Sequence, residues 1–454
     1  MNKENFNRRG FIKSSVYGAI GAASIPAVLT GCTPSNKKEE GVQLKHVDVP
    51  EILSKAPDGK PLKAGLIGCG GRGTGAASNF VAAGNGLTIT ALGDVFPDQL
   101  DKCRQTLAGQ GINVPEDKCF VGFDAYKKVI DSDVDVVLLC TPPVFRPSHF
   151  DYVIEKGKHC FMEKPCAVDP VGARKILATS KIADAKGLSI ISGTIRRSQK
   201  DCIEVYRRVA GGAIGQIVSA HVIRHGGALW FKRRDPKWTD MEYMLRNWVN
   251  FCWTSGDHIV EQFIHEIDLM SWFMGDIPPV LAEATGGRQR RVTGDMYDFF
   301  SVEYVYDKGV HAHCTSRQIG GCDNDSSVLI YGTKGYTNIY KGTIYNLDGS
   351  EAWKYPYPQK EDADQSMAVP DPFVTEHVRL VTAIRKNQPV NDAEKHVQSV
   401  LMTIMGRMSA YTGKFVKWDE VLSSTMKLGP DTYAFGPVPG IPEEIPLAGR
   451  AVTS

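Results

Sequence analysis

Short apolar runs alternate with amphipathic stretches through the first half of the chain. The runs have the length of buried strands, and the stretches between them carry apolar residues at helical spacing. The predicted strands contain LKAGLIG, LTITALGD, VDVVLLC, HCFMEK and LSIIS, and the predicted helices cover 74–83, 97–108, 123–131, 146–157 and 170–186. Such alternation predicts a doubly wound parallel sheet with helices on both faces. We place this α/β domain at residues 61–193.

The pattern changes after residue 193. Apolar and polar residues now alternate with a period of two, which predicts antiparallel strands with one buried face. The alternating runs are QIVSAHVIRHG, VLAEATG, DFFSVEYVYD, VHAHCTS and SVLIYGT, and helical patterns lie near 199–210, 258–274, 373–386 and 394–412. We predict a second α/β domain over residues 194–454, built on a mostly antiparallel sheet.

The first 32 residues have the pattern of an export signal. Arg8 and Arg9 precede a mild apolar run rich in Gly, Ala and Ser, and that run ends in LTGC at Cys32. The combination resembles a twin-arginine signal joined to a bacterial lipobox, in which Cys32 becomes the lipidated N-terminus. We therefore expect an exported protein that a lipid anchors on the periplasmic side of the cell envelope. The alternative is a short buried helix after a chance arginine pair.

Composition narrows the possible partners. The chain has 454 residues, is 42% hydrophobic and 23% charged, and has a formal net charge of +2. This balance favours neither a nucleic-acid partner nor a membrane contact beyond the lipid. The cysteines after Cys32 show no CxxC pair and no Cys/His ligand spacing, so we predict neither a zinc site nor disulfides. Residues 33–60 are polar and irregular and predict a flexible tether.

A glycine loop follows the first predicted strand directly. Gly68, Gly70 and Gly73 form a GxGxxG string that opens a small-residue helix, and Asp94 ends the next strand roughly 20 residues further on. Strand, loop and helix in this order predict a dinucleotide-binding Rossmann domain, with the helix N-terminus facing the pyrophosphate. Asp94 would accept hydrogen bonds from the ribose and repel a 2′-phosphate, which favours NAD. The alternative is a purely structural glycine turn.

Two further patterns carry candidate chemistry. Lys164, in the string Glu163-Lys164-Pro165, ends a predicted strand of the parallel sheet, at the edge where such sheets bind ligands. In the second domain, Glu261 and His265 lie at i and i+4 of the predicted helix, so a carboxylate would lie beside an imidazole, orient it and raise its basicity. The alternatives are a surface lysine paired with Glu163 and a core histidine bonded to its helical neighbours.

The glycine loop, Glu163-Lys164-Pro165 and the string HEIDLMSWFMG together resemble the Gfo/Idh/MocA family, over nearly all of residues 61–415. The resemblance implies a C-terminal domain whose open sheet often builds oligomers. It also implies redox chemistry on sugar and cyclitol hydroxyls with NAD(P), with Lys164 as the catalytic lysine and His265 as the acid/base. The family commonly has Asp where this chain has Glu261.

We assign candidate roles to the following residues. The predicted cofactor-binding residues are Gly68, Gly70, Gly71, Arg72, Gly73, Asp94, Thr141, Pro142, His149, Glu163 and Lys164. The predicted catalytic residues are Lys164, His265 and Glu261, and the candidate substrate residues are Arg197 and Asp268. No metal is expected.

The expected function is oxidation or reduction of a secondary hydroxyl of a sugar or glycoside, with C3 as a candidate position. Because the twin-arginine route carries folded proteins, NAD would cross with the chain, stay tightly bound and be regenerated in place. One alternative is a glycosidase that recycles NAD through oxidation and elimination, as α-N-acetylgalactosaminidases of the superfamily do. Such enzymes tend to lack the lysine of Glu163-Lys164-Pro165, so Lys164 favours the oxidoreductase. Another alternative is a non-catalytic sugar-binding lipoprotein. We expect a homo-oligomer.

Overall fold

The computed structural model describes residues 41–42, 44, 49, 52–361, 365–439 and 445–449. The predicted signal, with Cys32, lies outside the described residues. Within them, no helix has the length and apolar character needed to cross a bilayer.

The helices and strands occur in two groups, one for each sheet. The strands are β1 Leu62–Ile67, β2 Leu87–Asp94, β3 Cys119–Val121, β4 Val136–Leu139, β5 His159–Glu163, β6 Ile190–Gly193, β7 Ile217–Gly226, β8 Leu281–Gly287, β9 Phe299–Val305, β10 His311–Gln318, β11 Asp325–Gly332, β12 Gly335–Asn338, β13 Thr343–Asn346, β14 Glu351–Lys354 and β15 Val416–Lys417. The helices are α1 Gly71–Ala82, α2 Pro97–Ala108, α3 Ala125–Ile130, α4 Arg146–Glu155, α5 Pro170–Ala185, α6 Lys200–Ala210, α7 Asp240–Arg246, α8 Cys252–Ser255, α9 His258–Glu261, α10 Ile264–Phe273, α11 Pro372–Arg385, α12 Ala393–Thr412 and α13 Trp418–Ser423.

The first sheet has the order β3-β2-β1-β4-β5-β6, and all its strand pairs are parallel. Strand β4 is buried along its whole length, as expected for a parallel strand with helices on both faces. The order reverses between β1 and β4, which opens a crevice at the carboxyl ends of these strands. The doubly wound parallel sheet predicted from the alternating pattern is confirmed.

The second sheet has nine strands in the order β14-β13-β12-β11-β7-β10-β9-β8-β15. Its pairs are antiparallel except that β10 runs parallel to β7. Helices α10 and α12 pack on one face of this sheet. Alternate residues of β10 are buried and exposed, in agreement with the period of two in the sequence. The predicted mostly antiparallel sheet is therefore confirmed.

The chain returns to the first domain after the second sheet. Helix α11 packs against α1 and β6, and its residues Val378 and Val381 belong to the apolar core of the first domain. The backbone of Ile190 in β6 then bonds to residues on either side of Asn391. The first domain thus includes a segment that lies well beyond residue 193.

The described part of the predicted tether is packed on the body. The backbones of Val42 and Ile217 exchange two hydrogen bonds of 2.8 and 2.9 Å, and the amide of Ala56 donates to the carbonyl of Ala83 at 2.8 Å. Leu44 packs against the core. The prediction of a flexible tether is wrong for these residues, because apolar side chains spaced along the polar segment find apolar surface on both domains.

Candidate active site

The glycine loop forms a cradle with room at its centre and none at its ends. Gly68 has a φ of 95°, and a Cβ there would lie 2.6 Å from the carbonyl carbon of Cys140. A Cβ on Gly73 would lie 1.8 Å from the carbonyl oxygen of Gly68, so this glycine lets α1 pack against the loop. At Gly70 and Gly71, by contrast, a Cβ would meet no described atom within 4 Å. The open space at these two glycines is where a ligand can approach the backbone.

Helix α1 begins at Gly71 and presents an anion-binding end to this space. Gly70 is its N-cap, no side chain of the described residues caps it, and its first turn carries no acidic residue. The amide groups at a helix N-terminus lack helical partners, and the helix dipole adds positive potential there. The loop and helix therefore fit the pyrophosphate of a dinucleotide.

Asp94 ends β2 beside the loop. Its Oδ2 accepts from the amide of Cys69 at 2.6 Å, and its Oδ1 accepts from the amide of Phe96 at 2.8 Å. Burial raises the pKa of Asp94, although these hydrogen bonds lower it in part. Each carboxyl oxygen can accept a further hydrogen bond. The position and free acceptor capacity suit the ribose role that the sequence predicted.

A cavity of about 340 Å³ lies along the loops at the carboxyl ends of β1, β2 and β4. The predicted residues that line it are Gly68, Gly70, Gly71, Asp94, Thr141, Pro142 and His149. Arg72, Gly73, Glu163 and Lys164 are not among its lining residues. Part of the wall comes from the second domain, through Trp230, Lys232, Leu245, Arg246 and Trp248. Nothing in the sequence indicated these five residues except a high density of Trp and Arg over residues 224–253.

His149 contributes a neutral ring to the cavity. Its Nδ1 lies 3.4 Å from Oγ1 of Thr141, and its ring stacks on Tyr126 with 4.0 Å between centroids. Burial, assisted by the charge of Arg146, lowers the pKa of His149 to about 3. The ring therefore adds no charge to the cavity at neutral pH.

Arg72 and Glu163 bind each other beside the glycine loop. Nε of Arg72 donates to Oε1 of Glu163, and its guanidinium lies 4.8 Å from the ring centroid of Phe373. Nη2 of Arg72 is buried without a hydrogen-bond partner among the described residues. The buried Glu376 lies nearby, and burial together with the charge of Glu163 raises its pKa well above the usual range. Because Nη2 is buried and Arg72 does not line the cavity, the contact that the structure shows for this guanidinium is the one that holds Glu163.

Lys164 connects the two domains. It follows β5 directly, and its peptide bond to Pro165 is cis. Its Nζ donates to Oε1 of Glu261 at 2.7 Å and also to the carbonyl oxygen of Glu261. The two side chains are only 11% and 6% exposed. Burial favours the neutral carboxyl, but the charge and hydrogen bond of Lys164 outweigh it, so the pKa of Glu261 lies below its usual value.

The helix predicted over 258–274 is interrupted, and this changes the role of Glu261. The structure has α9 and α10 with a break at Gln262, whose φ and ψ are −106° and −50°. Glu261 therefore does not continue a stripe with His265; its carboxylate accepts from Lys164 and from Gln262. The prediction that Glu261 orients the imidazole is corrected: Glu261 positions the lysine instead.

His265 lies at the start of α10 and is partly exposed. No described residue hydrogen-bonds to its ring. Burial lowers the pKa of His265 well below the usual value, and the charges of Lys164, Arg224 and Arg196 lower it further. The predicted gain in basicity from a neighbouring carboxylate is therefore wrong, and the imidazole is neutral at pH 7.

Arg197 and Asp268 form a buried ion cluster with Asp276. Nε of Arg197 lies 3.0 Å from Oδ2 of Asp268, and its Nη2 lies 2.7 Å from Oδ1 of Asp276. Ser399 donates to Asp268 at 2.7 Å, and the side chains of Arg197 and Asp268 are 9% and 1% exposed. This corrects the expectation that Arg197 and Asp268 contact substrate, because their polar atoms are occupied within the cluster.

Two buried arginines that sequence analysis missed hold the loops around Lys164. Nη1 of Arg407 donates to the carbonyls of Val168 at 2.9 Å and Gly256 at 2.7 Å, which joins the loop after β5 to the loop before α9. Nη1 of Arg146 donates to the carbonyl of Pro165 at 2.5 Å. Both arginines lie in helices, and nothing in their local sequence distinguishes them from surface residues. The described residues contain no group of three or more His, Cys, Asp or Glu placed to hold a metal ion.

Two protein-family models match the chain, the first in the N-terminal part and the second in the part that follows it. An oxidoreductase family with an NAD-binding Rossmann fold, GFO_IDH_MocA, matches residues 62–190, and the Gfo/Idh/MocA C-terminal domain matches residues 203–338. The chain belongs to the Gfo/Idh/MocA family. This confirms the family resemblance of the three motifs, and it makes the first domain an NAD-binding domain, in agreement with the cradle at Gly70 and Gly71.

Known Gfo/Idh/MocA proteins resemble the chain at low identity. A glycosyl hydrolase family 109 protein from Shewanella pealeana is 28% identical over 251 residues, 55% of this chain and 51% of that protein. An inositol 2-dehydrogenase from Paracoccus denitrificans is 27% identical over 218 residues, 47% of this chain and 55% of that protein. The matches thus span about half the length of these curated relatives.

A solved scyllo-inositol dehydrogenase from Lactobacillus casei, with bound NAD(H) and scyllo-inositol, has the same fold. It superposes with a TM-score of 0.60 at 20% identity and covers 79% of this chain and 100% of that chain.

Proposed function

We propose that the protein is an NAD-dependent oxidoreductase that acts on a secondary hydroxyl of a sugar or glycoside. The observation that carries this proposal is the contact between Lys164 and Glu261, which brings an amine at the edge of the NAD-binding sheet to the element that precedes His265. Glycine loop, lysine and histidine are the groups that oxidation of an alcohol requires: a cofactor site, a donor to the reacting oxygen and a base.

His265 is the proposed base. Its imidazole is neutral at pH 7 because burial and the neighbouring cations keep its pKa low, so a ring nitrogen is free to take the hydroxyl proton. Lys164 donates a hydrogen bond to the reacting oxygen and stabilises the negative charge that grows there. Glu261 holds the ammonium of Lys164 in place. The NAD⁺ that the cradle at Gly70 and Gly71 would hold would supply the hydride acceptor for the carbinol carbon.

The proposed cofactor-binding residues are those of the glycine loop, the start of α1 and the cavity beside them. Gly70, Gly71 and the N-terminus of α1 would hold the pyrophosphate. Asp94 would bind the adenosine ribose, and Thr141, Pro142 and His149 would border the other half of the dinucleotide.

Substitution of the two proposed catalytic residues tests the assignment. Lys164→Ala and His265→Ala should each lower turnover by about two orders of magnitude or more while NAD still binds. Near-wild-type turnover by either variant, with normal NAD binding, would refute the assignment of that residue.

We propose further that the protein is an exported lipoprotein, anchored through Cys32, that carries NAD(H) across the membrane and recycles it. Redox that is neutral overall, or a second carbonyl substrate, would regenerate the cofactor, and C3 of a glycoside is the proposed position of oxidation. Mass spectrometry of the purified protein should detect bound NAD(H), and its redox state should change when a glycoside is added. A cofactor-free protein that needs millimolar NAD would contradict cofactor retention.

A glycosidase that oxidises, eliminates and reduces is the second candidate. The similarity to a glycosyl hydrolase family 109 protein favours it, whereas Lys164 favours the oxidoreductase. Incubation with aryl glycosides separates the two, because a glycosidase releases free aglycone and an oxidoreductase produces a keto-sugar. Absence of both products, together with sugar binding, would identify a binding protein instead.

We also propose a homo-oligomer formed through the outer face of the nine-stranded sheet. Side chains there remain exposed, among them Phe299, which is 37% exposed, and His311, whose side chain is 51% exposed. Light scattering in solution would measure the mass, and a monomer would contradict this proposal.

A further inference from the structure

One wall of the cofactor cavity belongs to the second domain. Residues 230–248, here called the clasp, supply Trp230, Lys232, Leu245, Arg246 and Trp248 to the lining. In an open doubly wound sheet the crevice at the strand ends faces solvent unless another element covers it. The clasp is such a cover.

The clasp lies at the end of the cavity that suits adenosine. Asp94, Phe96 and Phe123, from the loops after β2 and β3, line that end. An acidic residue at the end of the second strand is the usual ribose ligand of the adenosine half. Leu245 and Arg246 line the same cavity, and the guanidinium of Arg246 lies 4.0 Å from the ring centroid of Phe96.

Arg246 closes the clasp onto the first domain. Its Nη2 donates to Oδ1 of Asp98 at 2.9 Å, and its Nη1 donates to Oδ2 at 3.0 Å. Nε is held at 2.9 Å by Glu242, one turn earlier in α7. A bidentate arginine–carboxylate contact is directional and charge-assisted. The contact therefore fixes α7 against the start of α2.

Two buried asparagines make the clasp a single unit. Asn247 accepts from the amide of Lys232 at 2.6 Å and donates to the carbonyl of Lys232 at 3.2 Å. Asn250 donates to the carbonyl of Trp230 at 3.0 Å. These bonds tie the stretch at 230–232 to the stretch at 245–250, so displacement of one displaces the other.

The C-terminal segment adds an outer layer. The ring of Phe435 lies 6.0 Å from that of Phe96 and 5.3 Å from that of Phe123, measured between centroids. The amide of Met241 in α7 donates to the carbonyl of Gly436 at 3.0 Å. The apolar rings at the adenosine end are thus covered from outside as well.

We propose that the clasp encloses the adenosine half of NAD(H) and controls its release, with the Arg246–Asp98 contact as the fastening that must open before the cofactor leaves. The inference rests on the proposed function only in that NAD(H) occupies the cavity. The clasp explains how one cofactor molecule stays bound through many turnovers, and Arg246 becomes a cofactor-retaining residue that acts outside the chemical step.

Release of NADH tests the clasp directly. The full-length protein is loaded with NADH and mixed with excess NAD⁺, and the loss of bound-NADH fluorescence gives the release rate. Arg246→Ala should release NADH about five- to tenfold faster than the wild type, since a partly buried bidentate ion pair is lost. Asp98→Ala, on the other side of the contact, should give the same acceleration, and the double variant should add little to either change.

Arg234→Ala is the matched control. Arg234 lies in the clasp and pairs with Asp240 at 2.6 Å, but it does not line the cavity. Its substitution should leave the release rate unchanged. If Arg246→Ala does not fold, Asp98→Ala decides, because Asp98 is half exposed and lies in the first domain.

The outcomes separate the clasp from the proposed function. Wild-type release rates in both Arg246→Ala and Asp98→Ala would overturn the clasp even if the protein oxidises sugars. Equal acceleration by Arg234→Ala would also overturn it, because the effect would then not belong to the fastening. Faster release in a protein that oxidises no sugar would support the clasp and contradict the proposed function.

Discussion

Two buried ion clusters, Lys164 with Glu261 and Arg197 with Asp268, each take a carboxylate from the stretch that the sequence predicted as one helix. They differ in how many hydrogen-bond donors of the cation remain unused. Arg197 donates to Asp268 and Asp276 through all three guanidinium nitrogens. Lys164 donates to the carboxylate and to the carbonyl oxygen of Glu261, at the junction of the two domains, and keeps a third donor hydrogen. An ammonium has three donor hydrogens, so Lys164 can donate to Glu261 and to a substrate oxygen at the same time. All three guanidinium nitrogens of Arg197, by contrast, already donate to Asp268 and Asp276.

The difference shows that burial and charge alone do not identify a catalytic group. Both clusters contain an almost buried cation and an almost buried carboxylate. Only the cluster with spare hydrogen-bonding capacity lies close enough to His265 for its cation to lower the pKa of that imidazole. Substitutions in the two clusters, and at a buried histidine outside both, should therefore differ in whether they reduce turnover or stability.

The largest effect is expected for Lys164→Met, which should lower kcat by about a thousandfold. The substitution also leaves the carboxylate of Glu261 buried without its cation, which costs stability. The double variant Lys164→Met/Glu261→Gln should recover the stability but not the turnover. Steady-state kinetics and denaturant unfolding of both variants measure this, and turnover regained together with stability would make the pair purely structural.

Arg197→Met should have the opposite profile. Two buried carboxylates lose their cation, so we expect the free energy of unfolding to fall by about 3–5 kcal/mol. The turnover of the folded fraction should stay within about twofold of wild type, since the cluster touches no reacting group. Urea unfolding, with activity normalised to folded protein, tests this expectation. A large loss of turnover in a stably folded variant would contradict this expectation and indicate that Arg197 contacts the substrate.

His377→Phe isolates burial from charge pairing. His377 is fully buried between Phe80 and Phe161, and burial lowers its pKa to about 3. In the unfolded chain His377 takes up a proton as pH falls through about 6.5, whereas the native ring stays neutral down to about pH 3. Protonation therefore favours the unfolded state, and the free energy of unfolding falls as pH drops from about 6.5 towards 3. Between pH 7 and pH 5 this loss amounts to about 2 kcal/mol.

The variant should therefore lose about 2 kcal/mol less than wild type over that interval, as measured by urea unfolding at both pH values. An unchanged difference between pH 7 and pH 5 would mean that the ring is protonated or solvated in the native state.

Glu261→Gln should have the smallest effect. The amide oxygen still accepts from Lys164, so the lysine is held less firmly but not released. We expect kcat to fall about tenfold, with substrate KM within about twofold. Glu283→Gln, at an exposed position of β8, is the matched control and should change neither parameter. A rise in KM without loss of kcat would assign Glu261 to substrate binding instead of lysine positioning.

Sequence analysis predicted the parts of the site that depend on local spacing. The turn at Gly68, the open cradle at Gly70 and the acceptor at Asp94 all follow from residues close in the chain. No Gly or Pro lies at the break at Gln262 to indicate it in the sequence, and beside the break Lys164 donates to the carbonyl oxygen of Glu261. Helical spacing therefore predicted the wrong neighbour for Glu261 and for His265.

Features that depend on contacts between residues far apart in the chain could not be predicted from the sequence. Strands β3 and β15 have three and two residues and are too short to show a period. The clasp contacts the first domain through pairs such as Arg246 and Asp98, which lie far apart in the sequence. No local sequence pattern could therefore predict its position. Arg407 joins two loops by backbone carbonyls alone and leaves no complementary charge in the sequence.

The return of the chain to the first domain has a consequence for biosynthesis. All six strands of the NAD-binding sheet are synthesised by residue 193, yet helix α11 and the backbone at residues 390–392 complete its core and its edge. A nascent chain that stops after β6 leaves the surface of α1 that α11 covers open to solvent. The apolar core of the NAD-binding domain is therefore completed only after α11, which ends at Arg385, has been synthesised.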